Sequence, residues 1–434
     1  MRIKVLMAAS GALVMGAVTQ LNAQGMSLEQ AVETALEGSH RMEAARSGVE
    51  MARREIGVSR AEFLPELATV VSYSQYSGDV FFSRFIPGAP PTSGSDIGEF
   101  DQNKAAILTL SQTLYAGGAY SARTSASRVE HQIAEQSAMQ QEDEIILETT
   151  QAYFQALLAG KAVEVATTGL RRSETNLESV RSLRQEDEAL EVEVLAAEAR
   201  VAADRHRLLE AQNSDRLARS ALNRLLGSEW TAPLDLTGSL ADATPVPSSD
   251  EALQQALAAN PEVVKARHRI ELSDAMRKGA GAYRKLKLEL ETLFSATEND
   301  LFFDGTFWGA NLNISIPFGK DVRRGGAAVA QAEAKKSLEE NTLRDIESGL
   351  RLMVDRALTR ADEAKQAIGV GEQNLRFHEE RYRVTSTAFE ENLATFDDLL
   401  EDHTALFEAE LALYQAQYLA RMAEAELRRI AAIR

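Results

Sequence analysis

The densest group of chemically capable side chains in this sequence is acidic. Asp397, Asp398, Glu401 and Asp402 crowd one helical turn. Asp398 and Glu401 are three apart and share a helix face. Carboxylates crowded in this way attract cations and repel anions. The plainer alternative is a solvated helix start, where acidic residues also suit the helix dipole.

Other chemistry is sparsely represented. Cysteine is absent, which removes disulfides, thiolate nucleophiles and cysteine-ligated metals. The histidines (His40, His131, His206, His268, His378 and His403) are scattered singly, without ligand spacing, and read as surface or packing residues. Gly160-Lys161 lacks the spacing of a phosphate-binding loop, Gly279-Ala280-Gly281 has no dinucleotide-binding frame, and no Ser/His/Asp arrangement stands out. No enzyme, cofactor or metal site is expected. The net charge of −18 makes the chain a poor ligand for nucleic acid phosphates.

The first residues read as a targeting signal, with Arg2 and Lys4 before the apolar run Val5–Val18 and a cleavage site after Ala23. The apolar run is shorter than the ~20 residues of a spanning helix. The expected destination is a Gram-negative envelope.

The acidic cluster lies on the second of two helical hairpins. Gly325–Arg434 contains no proline and carries a heptad-like apolar rhythm broken at Glu390-Glu391-Asn392-Leu393. A similar hairpin occupies Ala119–Gly227 and turns near Glu186-Asp187-Glu188. The first long helix is expected over Ala119–Gln185, roughly 100 Å long. Its return helix, Ala189–Leu226, and an opening helix, Ser27–Glu62, are each little more than half that length. The two shorter helices are expected end to end against the long one, because a lone helix with so many apolar positions has nowhere to bury them. Trp230, in the linker, is expected to be a packing anchor.

Between opening helix and hairpin the period changes to two. Leu67, Thr69, Val71 and Tyr73 alternate with Ala68, Val70, Ser72 and Ser74. A second strand carries Ala106, Leu108 and Leu110 against Thr109, Ser111 and Thr113. The Pro/Gly-rich segment between them holds Phe81, Phe82 and Phe85. The design then repeats: Ala35-Leu36 recurs as Ala256-Leu257, and Ser111 as Ser315. The second pair of strands sets Leu286, Leu288, Leu290 and Phe294 beside Trp308, Ala310, Leu312, Ile314 and Ile316. Tyr73, Tyr76, Phe302, Phe303, Phe307 and Trp308 lie near the strand ends.

The domain reading is a signal peptide at 1–23, a first repeat at 24–227, a linker at 228–249 and a second repeat at 250–434. Alternating strands with terminal aromatics are the signature of a transmembrane β-barrel. Two hairpins on a soluble sheet would alternate as well. Four strands cannot close a barrel, and open edges are not tolerated in lipid. If these strands span a membrane, several chains must share one barrel, and an aqueous lumen favours three. The competing reading is a soluble periplasmic coiled-coil scaffold or adaptor.

The sequence resembles the TolC family of outer-membrane efflux and secretion channels. The resemblance rests on Ser27-Leu28-Glu29-Gln30-Ala31 with Ala35-Leu36, Phe63-Leu64-Pro65-Glu66-Leu67, Gln112-Thr113-Leu114-Tyr115-Ala116-Gly117-Gly118, Ala221-Leu222-Asn223-Arg224-Leu225-Leu226-Gly227, Ala256-Leu257 with Asn260-Pro261, and Ile316-Pro317-Phe318. Their order, spacing and duplication are specific together. The resemblance implies a homotrimer whose four strands per chain make a twelve-stranded barrel in outer-membrane lipid, above a periplasmic tunnel of long α-helices. It also implies a periplasmic adaptor, an inner-membrane pump, and a passive exit duct rather than an enzyme. Asp187 and Asn392 stand where the family usually has glycine at the tunnel tip, and both tolerate the left-handed turn conformation. Asp398 and Glu401 match the family's constriction, with Asp397, Asp402 and Glu193 grouped around them. Comparing Leu177 to Leu195 with Leu375 to Leu400 suggests a second hairpin longer by one heptad, projecting roughly 10 Å further.

Overall fold

The computed structural model describes residues 25–75, 102–242, 247–299, 305–391 and 393–433. The elements in order are α1 (Leu28–Gly38), α2 (His40–Ala61), β1 (Glu66–Gln75), β2 (Gln102–Ala116), α3 (Ala119–Gln185), α4 (Glu191–Leu225), α5 (Ser249–Ala259), α6 (Pro261–Ala280), β3 (Lys287–Asn299), β4 (Gly305–Ser315), α7 (Lys320–Glu390) and α8 (Phe396–Ala431). The expected cleavage at Ala23, the aromatics Tyr76, Phe81, Phe82, Phe85, Phe302 and Phe303, and Asn392 lie outside the described residues. Among the described residues no helix is long and apolar enough to cross a membrane.

The opening helix differs from the single helix expected. It breaks at Ser39, whose backbone is extended (φ −79°, ψ 115°). The Ser39 hydroxyl then accepts from the Met42 N–H at 3.3 Å and starts α2. The helices α5 and α6 are separated in the same way at Asn260, where Pro261 begins α6 without needing an N–H partner.

The chain divides into two compact units. One comprises Ser47–Gln136 and Lys265–Asp345 and carries the strands. They form one antiparallel sheet in the order β1-β2-β3-β4. The register puts Thr69, Leu108, Phe294 and Trp308 in one row, and Leu67, Leu110, Thr292 and Ala310 in another. Both rows lie on one face, with Leu290, Leu312, Leu288 and Ile314. The opposite face carries Glu66, Ser111, Glu291 and Asn311 in one row, and Thr113, Glu289 and Asn313 in the next. A bulge between Thr113 and Tyr115 shifts the register, so that Tyr115 meets Leu288 on the apolar face. That face is bare: Val71 is 78 % exposed and Trp308 79 %. The outer edges of β1 and β4 have no partner strand among the described residues.

Ion pairs and hydrogen bonds anchor the helices of this unit. Arg123 of α3 pairs with Glu62 at 3.2 Å, and Thr124 of α3 donates to the Ser59 carbonyl of α2. Lys336 of α7 pairs with Asp274 of α6 at 3.0 Å. Gly117 starts the turn from β2 into α3 at φ +66°, and a Cβ there would meet the Ala282 carbonyl oxygen at 2.8 Å.

The described residues of the other unit, Met1–Arg46, Ser137–Val264 and Ile346–Arg434, are mainly helical. Its main core gathers Ala31, Ala35, Tyr153, Phe154, Leu222, Leu226 and Tyr418. The end of α1 meets the end of α4, since a Cβ on Gly38 would lie 3.2 Å from the Leu226 carbonyl oxygen. Helix α4 thus ends against the break between α1 and α2, inside the expected single opening helix rather than at an end of it. The linker crosses this core. Met26 bridges to Leu236, and the Tyr153 hydroxyl donates to the Met26 carbonyl at 3.0 Å while accepting from the Gly238 N–H. Asn223 and Arg219 of α4 donate to the Ala232 and Leu234 carbonyls. Trp230 is 61 % exposed, so it is no packing anchor within the chain.

Gly117→Ala should destabilise the strand-bearing unit by about 1–2 kcal/mol from the left-handed backbone alone, with the carbonyl clash added. Thermal unfolding by circular dichroism measures it, and Gly281→Ala, where a Cβ has open space, is the control that should change little.

Candidate functional site

The region singled out by the acidic residues is the pair of hairpin turns. Each helix must end, reverse and restart within five residues, and the backbone solves this twice in a related way. At the end of α3 the Glu188 N–H donates to the Leu183 carbonyl at 2.8 Å, and the Asp187 N–H to the Arg184 carbonyl at 3.2 Å. This is a Schellman turn, which needs a left-handed residue at the position of Asp187. Asp187 has φ 59°. Its carboxylate is 94 % exposed and pairs with Arg184 at 3.2 Å. At the end of α7 the Leu393 N–H makes the corresponding bond to the Ala388 carbonyl at 2.7 Å.

The restarts are also related. Thr395 caps α8: its Oγ1 accepts from the Asp398 N–H at 3.2 Å, while Asp398 Oδ2 accepts from the Thr395 N–H at 3.1 Å and from its hydroxyl at 2.6 Å. The side-chain and backbone bonds from Thr395 hold the Asp398 carboxyl below the usual carboxylate range. At the start of α4, Glu193 Oε2 accepts from the Leu190 N–H at 2.7 Å. Leu190 has no oxygen to return the bond, so only half of the capping box forms.

The four clustered acids therefore meet four environments. Asp397 is exposed in the first turn of α8. Asp398 is exposed and caps. Glu401 is 70 % exposed and pairs with Arg381 of α7 at 3.1 Å. Asp402 is 2 % exposed, paired with Arg381 at 2.5 Å and accepting from the Thr385 hydroxyl at 2.6 Å. Burial turns Asp402 toward α7, whereas Asp398 and Glu401 keep carboxylate oxygen in solvent.

Both turns pack into one cluster of Val180, Ala189, Val194, Ala197, Phe389, Phe396 and Leu399. This corrects the projection expected for the second hairpin. The return helices α4 and α8 have 35 and 36 residues, and α3 and α7 have 67 and 71. The turns lie together, and no heptad is added at the second tip. A seven-residue repeat looks the same after a shift of seven, so matched leucines alone could not fix which turn of one helix faces which turn of the other.

Side chains that the sequence does not single out join the hairpins just behind the turns. Arg172 of α3 makes a bidentate pair with Glu410 of α8 at 2.7 and 3.3 Å. Tyr382 of α7 donates to Asn176 of α3 at 3.3 Å. Asp204 of α4, 2 % exposed, is held by Arg200 at 2.9 Å and Arg207 at 3.0 Å. The Arg200-Asp204-Arg207 spacing is visible in sequence as i,i+4 and i,i+3 pairs. Nothing local marks Arg381 or Arg172, whose partners lie on other helices.

A four-stranded sheet with one bare apolar face, joined to paired long helical hairpins, is the subunit fold of outer-membrane channels. The profile of the family described as outer membrane efflux protein matches residues 31–228 and 252–432, and the chain belongs to that family. The chain is 25 % identical over 335 residues to the pyoverdine export outer membrane protein OpmQ of Pseudomonas putida. That alignment covers 72 % of this chain and 66 % of OpmQ, just short of two thirds of the relative's length. Among solved structures, CusC superposes with a TM-score of 0.78 at 18 % identity, covering 93 % of this chain and 91 % of CusC. VceC of Vibrio cholerae gives 0.77 at 17 %, covering 93 % and 95 %. The protein is an outer-membrane protein of this family.

Thr395→Ala should cost about 1 kcal/mol at the start of α8. Amide exchange of residues 396–399 should quicken, with the rest of α8 unchanged. The Asp398 half of the cap should be present above the usual carboxylate pKa and be lost as the pH falls below about 4 through the lowered folded value. Arg381→Ala leaves Asp402 buried without its cation and should lower stability by about 2 kcal/mol, read from denaturant midpoints.

Proposed function

We propose that the protein is the passive outer-membrane exit duct of a tripartite efflux or type I secretion system, working as a homotrimer with a periplasmic adaptor and an inner-membrane pump. The observation that carries this reading is the sheet. It has an exposed apolar face, an opposite face with polar rows, and two edges unpartnered among the described residues. A lipid-facing surface of that kind requires every edge to be paired, and other copies of the chain supply the strands. Three copies with four strands each make a twelve-stranded barrel whose polar rows, including Glu66 and Glu291, line the lumen. The alternative of a soluble periplasmic scaffold leaves Val71, Leu312, Ile314 and Trp308 in water, a patch that soluble proteins rarely carry.

In this reading the chain is a duplication, 24–227 and 250–434, joined by the linker at 228–249. The corresponding backbone bonds at the two turns and the near-equal return helices support it. Asp187 and Asn392 mark the tunnel tips. Asp398 and Glu401 form the constriction, with Asp397 beside them and Glu193 at the matching restart of the first hairpin. Three copies would stack carboxylates in a narrow neck and favour cations. Asp402 contributes by fixing Arg381, since its own carboxylate is buried. The pump selects the cargo; pyoverdine export, as named for OpmQ, is one cargo consistent with a passive duct.

The protein should fractionate with the outer membrane and migrate as a heat-modifiable trimer. Recovery as a soluble periplasmic monomer would overturn the duct. In planar bilayers a small cation-selective conductance is expected. Asp398→Ala combined with Glu401→Ala should raise conductance or weaken selectivity, and no change in either would remove the constriction from these residues.

A further inference from the structure

We propose that His403 is an acid-sensitive latch: while neutral it holds the first helical hairpin (α3–α4) to the second (α7–α8), and protonation loosens that contact.

His403 lies on α8 and is fully buried at 0 % exposure. Its Nε2 is 3.1 Å from the Gly169 carbonyl oxygen of α3. A carbonyl only accepts, so Nε2 carries the proton, and the neutral ring's Nδ1 is a lone pair. Nδ1 has no hydrogen-bond partner, and the nearest charged oxygen, Asp204 Oδ2 on α4, is 3.9 Å away. The Tyr382 ring of α7 lies 6.0 Å from the imidazole, centroid to centroid. One side chain thus touches three other helices. The approach of α3 to α8 is close here, since a Cβ on Gly169 would sit 3.1 Å from the Phe407 ring.

The surroundings leave no anion for a second proton. Asp204 already serves Arg200 and Arg207 of α4. Arg172 of α3 is matched by Glu410, and Arg381 of α7 by Glu401 and Asp402. A proton on Nδ1 would ask the Asp204 carboxylate to serve a third cation in a space sealed from water. Burial first, and then the Arg200 guanidinium, push the His403 imidazole down to about 4, against the pull of Asp204.

The direction of the effect follows. With the hairpins apart the ring is solvated and titrates near ~6.5. Between there and about 4 the separated state takes up a proton that the packed state refuses. Packing is therefore fully supported above ~6.5, weakens as the pH falls, and levels off below about 4. The gap corresponds to a change on the order of 10²-fold in the equilibrium between packed and loosened hairpins.

The test uses the full-length protein in detergent micelles. Hydrogen exchange of the imidazole C2–H, followed by mass spectrometry against pH, reads the His403 titration directly. Its midpoint should lie well below the ~6.5 of a free imidazole. In parallel, amide exchange around Gly169 and Asp204, corrected for the intrinsic rate, should speed at least tenfold from pH 7 to 4.5. His403→Gln keeps a donor for the Gly169 carbonyl and cannot titrate, so its profile should be flat. A His403 midpoint near 6.5 overturns the latch, as does equal acid loosening in wild type and His403→Gln. Should the variant fail to fold, the wild-type midpoint and the wild-type amide profile decide, because a low midpoint without acid loosening also overturns it.

Discussion

The constraint on which the rest of this structure depends is the hydrogen-bonding demand of two sheet edges. β1 and β4 end the sheet with backbone donors and acceptors that no described strand of the chain pairs. In water such edges would be solvated. Beside an apolar face presented to lipid they have no such recourse, and each unpaired group costs several kcal/mol. The strand count makes the problem acute, since four strands are too few to curl into a barrel. In the proposed duct, copies of the same chain bring an edge of matching length and face polarity, so β1 of one copy can continue from β4 of the next. Such a head-to-tail contact closes into a ring when the rotation fits. In that proposal oligomerisation completes the fold rather than decorating it.

Much of this was legible in the sequence because a sheet with one lipid-compatible face forces strict alternation. Leu288, Leu290 and Phe294 were assigned to one face by period alone, and the register sets them opposite Ile314, Leu312 and Trp308. The bulge at Thr113/Tyr115 was not legible. It inserts a residue without changing composition, and its effect appears only against the partner strand. The break at Ser39 was missed for a related reason. Ser39 sits in a continuous helical pattern, and the sequence does not say whether its hydroxyl caps a new helix or faces solvent. Pro261 announces the matching break openly, because a ring nitrogen cannot donate.

The hairpins expose a deeper limit. Heptad rhythm revealed both long helices, and the first was bounded at Ala119 and Gln185. Yet a periodic seam is blind to translation by its own period. The shared cluster of Val180, Val194, Phe389, Phe396 and Leu399 breaks that degeneracy, because it is aperiodic and built from both turns at once. Capping breaks it as well. Glu193 and Asp398 occupy the same place in their helices, a correspondence carried by hydrogen bonds rather than by leucines. Turn chemistry fixes register more firmly here than the apolar repeat does.

The acidic cluster shows how sequence neighbours separate in space. On a helix, residues one apart differ by about 100° in direction, so Glu401 and Asp402 diverge although adjacent. Arg381 bridges them from α7, with its charge divided between an exposed and a buried carboxylate. That division ties the orientation of the exposed Glu401 to the packing of the buried Asp402. A change in how α7 lies on α8 must therefore move the Glu401 carboxylate as well. Asp398 is fixed separately, by the cap it forms with Thr395, and follows the end of α8 instead. Two carboxylates on one face thus answer to two different supports, one to the helix end and one to the contact between helices. Where they line a passage, its width and its charge need not change together.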